Sequence, residues 1–154
     1  MNQVNRKVMY RLYPSKKQSG WMTEILRLHQ RLYNGCLEQR IHAYRDRGIS
    51  ITKKMQEKEL TTLRAEDPEY RALNCQSEQV TLKRLDFAYQ RFFDRVKKGE
   101  KAGFPRFKPF ERYKGWGYKN HGDGWRFTPK ESSINGSMRI AGVGILQARG
   151  DASV

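Results

Sequence analysis

The run VNRKVMYRLYP, residues 4–14, decides the fold. Val8, Tyr10 and Leu12 fall on one side of a two-residue repeat and Lys7, Met9 and Arg11 on the other, the pattern of a half-buried β-strand. Tyr13-Pro14 ends it, since proline cannot donate to a ladder. Beyond Pro14 most of the chain has helical periodicity. The simplest packing therefore pairs this first strand with strands near the carboxyl end and makes the helices an insertion between them.

Three helices are expected. From Ser15 to about Asp46, Trp21, Ile25, Leu28, Leu32, Cys36 and Leu37 recur at three- and four-residue steps, a core-facing stripe, with Gly48 placed to stop the run. A more polar helix is expected from Thr52 to Ala65, capped by Thr52, touching its neighbours through Met55, Leu60 and Leu63 and ending before Pro68. The third, from about Ser77 to Lys98, puts Leu82, Leu85, Tyr89, Phe92, Phe93 and Val96 on one broad face and Lys83, Arg84, Arg91 and Arg95 elsewhere. Gly99 stops it.

Beyond Gly99 helical periodicity gives way to Gly, Pro and aromatic residues. Phe104, Phe107, Phe110, Tyr113, Trp116, Tyr118, Trp125 and Phe127 follow one another among basic side chains. Between Arg95 and Arg126 there are ten Lys or Arg and three Asp or Glu. Cations neutralise phosphates and rings stack on unpaired bases, which suits RNA or single strands better than a bare duplex; for any one ring, a place in a small barrel core is the competing reading. From Ile134 to Arg149, Met138, Ile140, Val143 and Ile145 alternate among glycines, giving short strands joined by tight turns and no parallel sheet. The expected class is α+β.

The chain of 154 residues is one ordinary domain or two small lobes sharing a core, and its 31 Lys+Arg against 16 Asp+Glu leave a formal charge of +15. That balance points to a polyanionic partner, DNA or RNA. No apolar run approaches a membrane span and MNQVNRKVMYRLYP is not a signal peptide, so a cytoplasmic, nucleoid-associated protein with no membrane partner is expected. Cys36 and Cys75 are isolated thiols. Asp86, Asp94, Glu100, Glu111 and Asp123 are not read as a two-metal centre, since Asp86 and Asp94 lie on a helix among cations, where ion pairing accounts for them, and no strand presents an isolated Asp near glycine; His29, His42 and His121 lack metal-ligand spacing. No GxSxG elbow or phosphate-binding glycine loop occurs. No catalytic residue, metal, cofactor or small-molecule substrate is expected.

Four stretches, in order and spanning nearly the whole chain, carry a family resemblance: KVMYRLYPSKKQ, RLYNGCLEQRIHAY, RLDFAYQRFFDRVKKGEKAGFPRFK and INGSMRIAGVGILQARG. They resemble the transposon-encoded OrfB/TnpB family of RNA-guided nucleases, in its amino-terminal strand and turn, its first helix, its third helix with the G-x-P-R-F-K signature, and a later strand pair. The resemblance implies a split wedge domain, a small β-barrel, with a helix-turn-helix-like three-helix recognition lobe inserted after its first strand. Residues 1–14 would be the first wedge strand, 15–102 the recognition lobe and 103–154 the remaining, incomplete wedge.

In the family these lobes grip a guide RNA scaffold and read a target-adjacent DNA motif, while a RuvC-like domain with three acidic residues and a zinc-binding insertion cuts. The sequence stops at Val154, before that region, so the resemblance implies binding to guide RNA and DNA without nuclease activity in this chain. Carried over by position, the motif-reading sites fall at or near Lys53, Gln76, Gln79 and Tyr118. Glutamine suits an adenine edge, and lysine a guanine or a phosphate. Lys7, Arg11, Arg106 and Lys108 are expected at the backbone of RNA or a heteroduplex, with Lys114 and Lys119 in the same basic segment, and Phe104 and Phe107 as anchors of the lobe junction. The competing readings are a free-standing helix-turn-helix-like DNA-binding regulator, a nuclease completed in trans by a separate RuvC-bearing chain, and a truncated remnant left with an exposed sheet edge.

Overall fold

The computed structural model describes residue 3 and residues 7–150. Strand β1 (Tyr10–Tyr13) leads into four helices, α1 (Lys16–Arg47), α2 (Lys53–Glu66), α3 (Pro68–Ala72) and α4 (Cys75–Lys97). A single 3₁₀ turn (Phe110–Arg112) then precedes β2 (Trp125–Pro129), β3 (Gly136–Ile140) and β4 (Gly144–Gly150). The part of the expected first strand at residues 4–6 lies outside the described residues. All strand pairs are antiparallel in the order β1-β4-β3-β2, so the first strand does pair with the last and the helices are inserted between. The class is α+β. The sheet is open, not a closed barrel: β1 and β2 are its two edges and do not meet through backbone hydrogen bonds.

Local chemistry sets the helix ends. Ser15 and Gln18 form a reciprocal capping box on α1, and Gly48 closes it in the left-handed conformation at φ 65°. Thr52 caps α2 and Asn74 caps α4. Pro68, expected only as a stop, instead begins α3: Asp67 accepts from the Glu69 amide and proline fits the first helical position.

Three clusters hold the fold. Tyr33, Leu37, Leu85, Tyr89 and Tyr113 join α1 to α4 and to the segment beyond. Leu32, Leu60 and Leu82 seat α2. Ile140, Val143 and Leu146, with Leu12, Met22, Ile25 and Trp116 around them, join the sheet to the first half of α1. Leu37 and Leu85 are fully buried, each worth ~1.5–3 kcal/mol against exposure. At one end of the sheet the rings of Tyr10 and Phe127, 4.5 Å apart, reach over the middle strands from the two edges. Gly136 and Gly150 leave the room: a Cβ at Gly136 would stand 2.7 Å from Phe127 Cζ, and one at Gly150 would stand 3.2 Å from Tyr10 Cε1.

The apolar stripes are shorter than periodicity suggests. Trp21, Phe93 and Val96 are about half exposed: beside Trp21 it is Met22 that packs against the sheet, and Phe93 and Val96 lie beyond Tyr89, the last buried residue of α4. On α2, Met55 is exposed and the buried position is taken by Gln56, which accepts from Arg40 Nε at 2.9 Å and donates to the Cys36 carbonyl at 2.8 Å. Arg40 also reaches Asp86 at 3.3 Å, so this carboxylate is in an ion pair as expected.

Candidate nucleic-acid interface

A strap, residues 103–124, leaves the end of α4 and returns along α1 and α4 before entering β2. Helical side chains hold its backbone. Asn34 accepts from the Lys108 amide and donates to the Lys108 carbonyl, both at 2.8 Å, and Gln30 donates to the same carbonyl at 2.9 Å. Arg84 donates to the Gly115 carbonyl at 2.8 Å. Gly117 lies so close to α4 that a Cβ would stand 3.0 Å from Val80 Cγ1. Gly124, at φ 84°, covers the Tyr118 ring, where a Cβ would intrude to 2.6 Å. Beneath the strap, His29 is fully buried, hydrogen-bonded to Thr81 at 2.7 Å and Ser77 at 3.3 Å and stacked parallel to Trp116. Burial, with Arg84 adding to it, lowers its pKa to about 4, so it packs as a neutral side chain.

This strap brings several sequence-predicted residues together. Lys119 donates to Gln79 Oε1, joining the strap to the exposed side of α4. Tyr118, two residues from Trp116, accepts from its indole at 2.8 Å and is partly buried. Gln76 lies one turn before Gln79 with its Oε1 buried and unpartnered among the described residues. Lys108 is set by its backbone, and its ammonium lies 4.6 Å from the centre of the Tyr33 ring.

Arg84 and Arg91, which helical periodicity placed off the core face without a role, share a cleft with Lys108, Phe87, Gln90 and Asp94. Burial first, then the nearby charges of Arg84 and Arg91, lowers the pKa of Lys108. Neither Arg84, Arg91 nor Lys108 has a carboxylate partner among the described residues.

Other predicted residues lie apart from this group. Lys53 opens α2 and pairs with Glu57 at 3.7 Å, while it is the far end of α2, through Arg64, that reaches α4 at Glu78. The eleven residue steps from Lys53 to Arg64 span about 16 Å of helix, so Lys53 does not share a surface with Gln76 and Gln79. Arg106 and Lys114 are exposed on the strap, and Lys7 is exposed ahead of β1. Arg11 lies on the outer side of the sheet. Phe104 and Phe107 are both about half exposed; Phe104 stands edge-on to Tyr89 and Phe92 at 5.5 and 5.3 Å.

No protein-family model matches the chain, and no curated protein matches it. Among the described residues no helix is long and apolar enough to cross a membrane, and no three His, Cys, Asp or Glu side chains are grouped to hold a metal.

Proposed function

We propose that this chain binds nucleic acid through the face built by α4 and the strap, as the amino-terminal wedge and recognition part of a TnpB-like transposon protein. Its ligands on this reading are a guide RNA scaffold and target-adjacent DNA, and it supplies no nuclease chemistry itself. The observation that carries the reading is the Arg84, Arg91 and Lys108 cluster, three cations without a carboxylate partner among the described residues, held on a rigid helix and on a backbone pinned by Asn34. Keeping like charges this close costs stability, and a polyanion offsets that cost. Gln79 and Lys119, joined at the edge of the same surface, are the residues suited to base edges. On this reading the four-stranded sheet is part of the wedge barrel and the inserted helices are the recognition lobe.

The test is fluorescence anisotropy of a labelled RNA hairpin and a labelled DNA duplex with the whole chain across a salt series. Binding should weaken steeply with salt. Arg91→Gln/Lys108→Gln should reduce the logarithmic salt slope for the DNA duplex by about 2, ~0.9 for each phosphate contact removed. Salt-insensitive binding, or a slope the double variant leaves unchanged, contradicts the reading. Tight sequence-specific duplex binding with no RNA affinity would favour a DNA-binding regulator instead.

A further inference from the structure

We propose that the outer face of the β-sheet is a second nucleic-acid surface, one that takes single-stranded RNA laid across the strands. It rests on the nucleic-acid reading above but uses none of the residues assigned to the α4 face.

The register puts like with like. Tyr13 on β1 is opposite Gln147 on β4, Gln147 opposite Ser137 on β3, and Ser137 opposite Thr128 on β2. A row of four uncharged hydrogen-bonding side chains therefore crosses all four strands, about 14 Å wide at ~4.8 Å per strand. Two pairs of arginines flank it. Arg11 faces Arg149 across β1 and β4, and Arg126 faces Arg139 across β2 and β3. Arg139 is opposite Ile145, four residues before Arg149 on β4, so the pairs stand on opposite sides of the polar row, about 14 Å apart along the strands at ~3.4 Å per residue. All four arginines are exposed, and none has a carboxylate partner among the described residues. The other side of β1, β3 and β4 packs toward α1 through Leu12, Met138, Ile140 and Leu146, so this face is the open one.

Two directly opposed like-charge pairs on one small face destabilise a sheet, and among the described residues no carboxylate pairs with them. Phosphates of one strand, reaching one arginine pair and then the other, would. The shape selects the form of nucleic acid: a duplex read by its bases needs a helix or ribbon entering the major groove, which a broad four-stranded face does not provide. An unpaired strand can lie flat on it. Tyr13 is 42% exposed and carries Arg149 at 4.9 Å and Arg11 at 5.8 Å from its ring centre, a ring-and-guanidinium platform on which an unpaired base can stack. The hydroxyl and amide row beside it matches the 2′-hydroxyl of RNA, both donor and acceptor, and gives the preference for RNA over DNA.

The experiment titrates the whole chain into a labelled single-stranded RNA, the same sequence as single-stranded DNA, and a DNA duplex, comparing wild type, Arg126→Gln/Arg139→Gln and Arg91→Gln/Lys108→Gln. The sheet variant should bind single-stranded RNA about tenfold more weakly, with a salt slope reduced by about 1.4, ~0.7 for each of two phosphates. Its duplex binding should stay within about threefold of wild type and its melting temperature should hold or rise, since like charges are removed. Ser137→Ala should narrow the RNA preference. Unchanged RNA affinity in the sheet variant overturns the proposal while leaving the α4 reading intact if the α4 variant still loses duplex binding; equal affinity for single-stranded RNA and DNA overturns the assignment to RNA; failure of the wild type to bind any of the three overturns both. Should the double variant unfold, Arg126→Gln and Arg139→Gln singly, each expected to lower the slope by about 0.7, carry the same test.

Discussion

Glu78 is fully buried on α4, one oxygen held by Arg64 and the other without a partner among the described residues. Burial outweighs the hydrogen bond and charge of Arg64 and raises its pKa from 4.5 to about 7. The folded state thus holds this proton more tightly than the unfolded chain does, so the stability it confers is present in full below pH 4.5 and is lost as pH rises through about 7. At ~1.4 kcal/mol per pH unit the change amounts to about 3 kcal/mol. His29, in the adjoining layer, does the opposite: its pKa falls from 6.5 to about 4, so its contribution is present above pH 6.5 and lost as pH drops through about 4. The two nearly cancel in the wild type. Glu78→Gln should expose the histidine, so that the variant loses stability on acidification across this window, and the difference in unfolding free energy between wild type and variant should shrink by about 3 kcal/mol between pH 4.5 and pH 7. Urea unfolding followed by far-ultraviolet circular dichroism measures this difference. Parallel profiles for the two proteins would refute the account of Glu78 as a carboxyl raised by burial.

His29→Gln should give the mirror image, stability rising as pH falls from about 7 to 4.5, read in the same unfolding series. Leu85→Ala removes a side chain with no exposure at the junction of α1, α4 and the strap, and should cost ~2–5 kcal/mol in urea unfolding. Asn34→Ala deletes two of the three side-chain hydrogen bonds that hold the Lys108 backbone, leaving that of Gln30, and should cost about 1–3 kcal/mol, weaken duplex DNA binding without changing net charge, and speed proteolysis of the strap. Gly124→Ala forces a side chain into the Tyr118 ring at a left-handed position and should lower the melting temperature more than Gly103→Ala, which meets nothing within 4 Å.

Much of this fold is legible in the residues. The alternation at Val8, Tyr10 and Leu12, the caps Ser15 and Thr52, and the stops at Gly48 and Gly99 give the element order, and a lone first strand ahead of three helical runs leaves only the carboxyl-terminal strands to pair with. Periodicity cannot say which apolar residues of a long helix meet a partner, which is why Trp21, Phe93 and Val96 are exposed while Met22 packs on the sheet. Nor does it reveal Gln56 taking a buried place through hydrogen bonds to Arg40 and Cys36. The strap has no period, so its course along α1 and α4 rests on Asn34, Gln30 and Arg84, whose bonding is invisible in sequence. Arg126, Arg139 and Arg149 were within reach: each alternates with apolar neighbours on its strand. What the sequence withholds is the register that sets them opposite one another.

Nucleic-acid binding is tested most directly by purifying the chain from the cells that encode it, extracting what it carries, and sequencing that material after separate RNase and DNase treatment. The proposed function predicts one discrete, RNase-sensitive RNA that survives a moderate-salt wash. Recovery of only heterogeneous nucleic acid that salt strips away, or of none, would contradict it.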